Sequence, residues 1–175
     1  VLVPMQTNEL LSRINEQSVY NKRKYTVKKG HIHVVVAGAV NSNGLLHFVN
    51  EFFNADQLTE EIEEIVDMVI LAPSAPSQDV LDLIEHPKFI GQIFYIAGSV
   101  LSPQDLKRVS FSDAKAIWLL SDKFSLTPSQ SDNLTVIRSL SLRRFLTDAR
   151  TVNPTVELPQ VFTQLIQPSN REKVA

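Results

Sequence analysis

Four short runs constrain this chain more than any other feature: "VVVA" at residues 34–37, "MVILA" at 68–72, "IFYIA" at 93–97 and "AIWLL" at 116–120. Each is apolar at nearly every position and rich in β-branched or aromatic side chains, and each is shorter than a stable helix. A strand covered on one face alternates apolar and polar residues, whereas continuous runs belong to strands covered on both faces. The segments between them carry helical periodicity. The sequence therefore predicts an α/β fold, a Rossmann-like, doubly wound, mainly parallel sheet with helices on both faces.

The predicted strands are His31–Ala37, Asp67–Ala72, Gln92–Ala97, Ala116–Ser121 and Gln160–Gln167. The predicted helices are Gly44–Phe53, Gln78–His86, Pro103–Val109 and Ser131–Leu146. Punctuation supports these assignments. Pro103 stands in a first helical turn behind Ser102, Ser131 and Asp132 are suited to capping the last helix, and Pro73 and Pro76 close off the second strand.

The flanks read differently. Residues 1–30 predict a short helix from Thr7 to about Gln17 followed by the basic, solvated segment "NKRKYTVKK", a lead-in outside the core. Residues 31–167 form the lobe, and residues 168–175 look like the first turns of a further helix with Ser169 as its cap, so the polypeptide is expected to continue. Two stretches lengthen the regular pattern: the acidic "NADQLTEEIEEIVD" and the connection "TDARTVNPTVELP".

At 175 residues and 43% hydrophobic content the chain supports one well-packed domain. Seventeen basic against nineteen acidic side chains give a net charge of −2, which offers no global attraction for nucleic acid. The lack of cysteine excludes disulfides, thiolate nucleophiles and cysteine-ligated metals. No apolar run reaches the length of a membrane span, and the N-terminal residues lack the layout of a signal peptide.

A phosphate-binding first turn needs G-x-G-x-x-G, with the second glycine leaving room for the pyrophosphate. Here Gly38 stands first, but Val40 and Asn43 hold the other two positions, and the acidic residue expected at the tip of the second strand is replaced by Ala72 and Pro73. No NAD is expected. No serine lies in a nucleophile elbow, so no catalytic residues are assigned. His31 and His33 share one strand face and are a metal pair in principle, but no third ligand is evident; two histidines at the exposed start of a strand is the blander account. Glu51 near the end of the first helix and Asp56 in the turn beyond it sit where carboxylates and unpaired carbonyls suit a hard cation such as calcium. The same acidic run also reads as a solvated helix face. Lys22, Arg23 and Lys24 suit either a solvated linker or anionic lipid headgroups.

The sequence resembles the first RCK domain (regulator of potassium conductance) of Slo-type large-conductance potassium channels, both calcium-activated and sodium-activated. "VLVPMQTNEL", "HIHVVVAG", "FVNEFF", "VILAP", "GSVLSPQDLKRVSFSDAKAIWLLSDK" and "FTQLIQPSNREKV" carry it in order, and the G-S-x-L-x-x-x-D-L-x-R stretch from Gly98 to Arg108 is the most specific part. The resemblance implies a cytoplasmic, non-enzymatic gating-ring domain of an integral membrane channel. Its partners would be a second RCK domain of the same subunit, neighbouring subunits of a homotetramer, and the pore helices reached through residues 1–30. It also implies a calcium-activated channel, with Asp56 as the candidate calcium ligand and Glu51 as a supporting charge, and with sodium as the alternative regulatory ion. The family's magnesium-site carboxylate positions appear as Met68 and Phe94, with only Gln92 still polar between them, so that site is expected to be lost. The readings that compete with this are an NAD-dependent oxidoreductase-like domain and a force-transmitting lobe with no ion site.

Overall fold

In a computed structural model of the chain, residues 19–40, 42–53, 65–155 and 157–173 are described, and the side chains at 42 and 43 are left aside. The predicted helix at Thr7–Gln17 and the acidic stretch containing Asp56 lie outside these residues.

Five parallel strands form one sheet in the order β3-β2-β1-β4-β5. They are β1 (His31–Gly38), β2 (Ile65–Ala72), β3 (Ile93–Ala97), β4 (Ala116–Leu120) and β5 (Gln160–Thr163). The order reverses at β1, where the chain passes from one side of the sheet to the other, as in doubly wound folds. Helices α1 (Ser42–Phe52) and α2 (Gln78–Ile84) cover one face, where Leu45, Val49, Val80 and Leu83 pack on Val34, Val36, Met68 and Ile70. Helices α3 (Pro103–Arg108) and α4 (Pro128–Val152) cover the other, where Leu106, Leu142 and Leu146 pack on Val35, Ala37, Val69, Leu71 and Ile117. Both faces of the central strands are thus buried, which is why the runs are continuously apolar.

Ser102 caps α3 as its sequence suggests, accepting a hydrogen bond from the Asp105 N–H with Pro103 in the first turn. Helix α4 departs from expectation. It begins three residues earlier, at Pro128, because the side chains of Ser131 and Asp132 are committed elsewhere. Ser131 Oγ accepts from the Asp122 N–H at 2.8 Å, and Asp132 is fully buried beneath the chain that follows β5. β5 ends at Thr163, four residues short of its predicted end, because residues 166 and 167 turn their N–H groups toward Asp132 instead of continuing the ladder. The last described segment, Pro168–Lys173, is a 3-10 helix that contains Ser169.

The basic lead-in also differs from its reading as a solvated segment. Tyr25 is buried in the core beneath α3, between the rings of His33 and Phe94 at 4.8 and 5.1 Å. Its backbone N–H donates to Arg108 O at 2.8 Å. The lobe therefore recruits chain upstream of β1.

Candidate functional site

The C-terminal ends of the strands are where doubly wound sheets place their ligands. Gly38 turns the chain there with φ +108°, and a Cβ at this position would lie 2.4 Å from the carbonyl oxygen of Leu120. Only glycine fits. Two residues on, Val40 packs its side chain against the α1 face of the core. A crevice of about 450 Å³ remains beside it, lined by Gly38, Val40, Pro73, Asp122 and Arg138. Ala72 is buried at the tip of β2, so no carboxylate reads a ribose there. Half-buried Arg138 faces this crevice, and burial lowers its guanidinium pKa.

Glu51 is exposed on the last turns of α1 and borders a second crevice of about 240 Å³ with His47, Ser121, Lys123 and Gln164. Lys123 adds positive charge to that crevice. Asp56 lies outside the described residues, so the Glu51–Asp56 pairing has no geometry here. Among the described residues, no three histidine or acidic side chains are grouped as metal ligands.

At the opposite end of the sheet the histidines take on distinct environments. Both project to the α3 face, as the strand alternation requires, but His33 is fully buried and not at an exposed strand start. Its Nε2 lies 3.2 Å from Val109 O, and its Nδ1 has no partner among the described residues. Burial lowers its pKa, against the opposing influence of the Val109 and Ser110 backbone and the carboxylates of Asp113 and Asp67. His31 Nδ1 instead lies 3.1 Å from Asp67 Oδ1, while Tyr25 donates to Asp67 Oδ2 at 2.9 Å and Lys28 Nζ stands 3.6 Å away. Asp67 is thus a fully buried carboxylate held by the lead-in and β1 together.

The register separates the two positions matched to the magnesium site. Met68 pairs with Ile93 and Val69 with Phe94, so Met68 and Phe94 project to opposite faces and cannot share one site. The carboxylate on the Phe94 face is Asp67, already engaged as described.

The stretch from Gly98 to Arg108 closes into a compact network. A Cβ on Gly98 would lie 2.7 Å from Asp105 Cγ, so glycine lets the carboxylate come up against the turn. Asp105 Oδ2 accepts from the Ser99 N–H at 2.9 Å and Oδ1 from Arg108 Nη1 at 2.8 Å. Burial would raise the Asp105 pKa, but these donors and Ser102 outweigh it and lower the value. Leu106 is buried, whereas Leu101 stays half exposed and nothing in the structure accounts for it. In the sequence this stretch carries a family resemblance and no function, because its partners, the carbonyls of Tyr20 and Arg23, are backbone atoms that no residue pattern reveals.

A parallel sheet with a glycine turn at its switch point, a valine in place of the phosphate-approach glycine and no ribose carboxylate defines a Rossmann-like lobe without the elements of a dinucleotide site. Its family follows from comparison with known proteins. Residues 29–162 match the model for the calcium-activated potassium channel slowpoke-like RCK domain, and the chain belongs to this family. It is 26% identical over 129 residues to the calcium-activated potassium channel slo-1 of Caenorhabditis elegans, covering 74% of this chain and 11% of that protein. The chain therefore spans about a tenth of that relative's length. Among solved structures, the human SLO3 gating ring superposes with a TM-score of 0.58 at 18% identity, covering 81% of this chain and 21% of that one. The GsuK RCK domain superposes with a TM-score of 0.52 at 12% identity, covering 87% and 25%. These structural similarities establish the shared fold.

Proposed function

We propose that this chain is a cytosolic gating-ring lobe of a ligand-gated potassium channel, in which cation binding shifts the ring and the lead-in segment carries that shift to the pore. The observation that carries the reading is the family match across nearly the whole lobe, residues 29–162. Val40 at the phosphate-approach position is consistent with it, since such a turn suits a regulatory lobe better than one built for hydride transfer. A cation acts here only if it prefers one ring arrangement, because equal affinity for both shifts nothing. No helix among the described residues is long and apolar enough to cross a membrane, so the pore would be supplied by other segments.

The cation proposed is calcium or sodium at Asp56, with Glu51 as a neighbouring charge. Partners would be a second RCK domain, neighbouring subunits of a homotetramer, and the pore helices. Leu134, Ile137 and Leu140 on α4 are each about half exposed, and such apolar surface supports packing against another lobe. Lys22, Arg23 and Lys24 are exposed, which suits anionic headgroups. Calorimetry with calcium and with sodium on wild type and Asp56→Ala tests the ion site; heat with one ion that disappears in the variant is expected, and identical heats would remove Asp56 from the proposal.

A further inference from the structure

Arg108, largely buried at the end of a six-residue helix, makes contacts that reach well beyond that helix. Its Nη2 donates to Tyr20 O at 2.9 Å, its Nε to Arg23 O at 3.0 Å and its Nη1 to Ala97 O at 2.9 Å and Asp105 Oδ1 at 2.8 Å. Two of the four acceptors belong to the lead-in, one to the last residue of β3 and one to its own helix. The bonds to the lead-in go to main-chain carbonyls, so the grip does not depend on which side chains that segment carries. A guanidinium presents five N–H donors in a planar fork, whereas a lysine ammonium has three on one atom and cannot span these positions.

The rest of the junction continues the grip. Tyr25 N–H donates to Arg108 O, Ser110 Oγ donates to Tyr25 O at 3.2 Å, and the Tyr25 hydroxyl donates to buried Asp67. Ser110 holds this position in the left-handed region at φ +49°, uncommon for a residue with a side chain. Asp105, fixed by Gly98 and Ser99, holds Arg108 in turn. The Gly98–Arg108 network thus ends on the lead-in.

We propose that Arg108 is the coupling residue at which the lead-in chain is fastened to the lobe, so that the segment free to take up or transmit tension ends at Tyr20 and not at Gly30. This inference rests on the gating reading above. Force arriving from the N-terminal side is delivered to the end of β3 and to α3, and the chain between Tyr25 and β1 carries none of it. Without the guanidinium, the main-chain attachment retreats to Tyr25, and Tyr20 is held only by its ring, edge-on to Tyr95 at 5.7 Å and packed against the core. Five residues separate the two main-chain attachments, so the contour that can be gained is at most about 17 Å at roughly 3.4 Å each.

The test uses the full channel, with calcium and sodium applied in turn to the cytosolic face and activation midpoints read from single-channel open probability. One variant carries four inserted Gly/Ser residues ahead of Val19, a second carries the same insertion between Val27 and Lys28, and a third is Arg108→Gln. The upstream insertion and Arg108→Gln are each expected to shift the midpoint by about fivefold, at the lower end of ordinary coupling, while the downstream insertion leaves it in place. Hydrogen exchange should show faster amides at residues 19–25 in Arg108→Gln, with β1 and β4 still protected. Equal shifts from the two insertions, or an unshifted midpoint in Arg108→Gln, would overturn the assignment. The paired insertions decide the question if Arg108→Gln does not assemble. Failure of both ions to change wild-type open probability would instead remove the gating reading, and this inference with it.

Discussion

Asp132 Oδ2 accepts a hydrogen bond from Asn170 Nδ2 at 2.9 Å, joining the first turns of α4 to the segment that leaves the lobe. The same carboxylate accepts from the N–H groups of Ile166 and Gln167 at 2.8 and 2.9 Å, and Ser121 Oγ lies 3.2 Å away. Burial would raise its pKa, but the three donors and Ser121 outweigh it and lower the value. The folded state thus holds this proton less tightly than the unfolded state. The stabilisation is fully present above the unfolded carboxyl value of about 3.9 and is lost as pH falls toward the depressed folded value. Replacing Asp132 with alanine leaves several buried neutral donors without a partner, and a loss of about 1–3 kcal/mol for each is expected. Urea unfolding at pH 7 and pH 3.5 checks both points: the wild-type advantage over Asp132→Ala should shrink at the lower pH, and a constant difference would contradict it.

Glycine-to-alanine substitutions should rank by geometry. At Gly38 the new Cβ meets the Leu120 backbone carbonyl and the backbone sits at positive φ, so about 3–5 kcal/mol should be lost. At Gly98 φ is ordinary, but the methyl displaces the Asp105 carboxylate, for about 1–3 kcal/mol. Gly91 has open space around it and only a φ of +82°, so about 1 kcal/mol is expected. Urea midpoints of the three variants test the order. Gly91→Ala falling below Gly98→Ala would show that Asp105 is not held as described.

The sheet was legible because burial on both faces writes itself as continuous apolar runs: β1 and β4 differ from expectation by one residue, at Gly38 and Ser121. The start of α4 was not, because serine and aspartate serve equally as helix caps or as partners for distant backbone, and Asp132 bonds residues 34–38 positions away. Tyr25 sits in a run of lysines, where local hydropathy gives no hint that a ring from the lead-in fills the space under α3. At the candidate site, the absence of phosphate-loop glycines could be read directly. The opposite facing of Met68 and Phe94 required strand register, which composition does not specify.

His33 should make stability fall on mild acidification. Its imidazole is buried against Tyr25, and burial lowers its pKa despite the acidic groups of Asp67 and Asp113. The unfolded chain therefore takes up a proton first. Stability is complete above about pH 6.5, the ordinary histidine value, and declines as pH drops through the window between that value and the folded one. The slope can reach roughly 1.4 kcal/mol per pH unit for one proton. Urea midpoints measured between pH 7.5 and 5 should show this decline in wild type and a shallower one in His33→Gln. Parallel profiles would assign the acid sensitivity to other groups.

The filled first turn predicts a negative result that can be measured. Val40 is half-buried against the α1 face of the core, and Ala72 is buried at the tip of β2 with Pro73 after it. The usual residues for approaching the pyrophosphate and for reading the ribose are both replaced, so changing one position does not supply the other. Trp118, the single tryptophan, sits on β4 stacked at 5.1 Å on Phe162 and serves as an energy donor to a bound nicotinamide. Titration with NADH should give no saturable transfer from Trp118 in wild type and none in Val40→Gly. The Val40→Gly chain should itself lose about 1–3 kcal/mol in urea unfolding, because its contacts with the core go. Saturable micromolar binding by wild type would place a cofactor in the crevice despite Val40 and would favour the oxidoreductase reading of this fold.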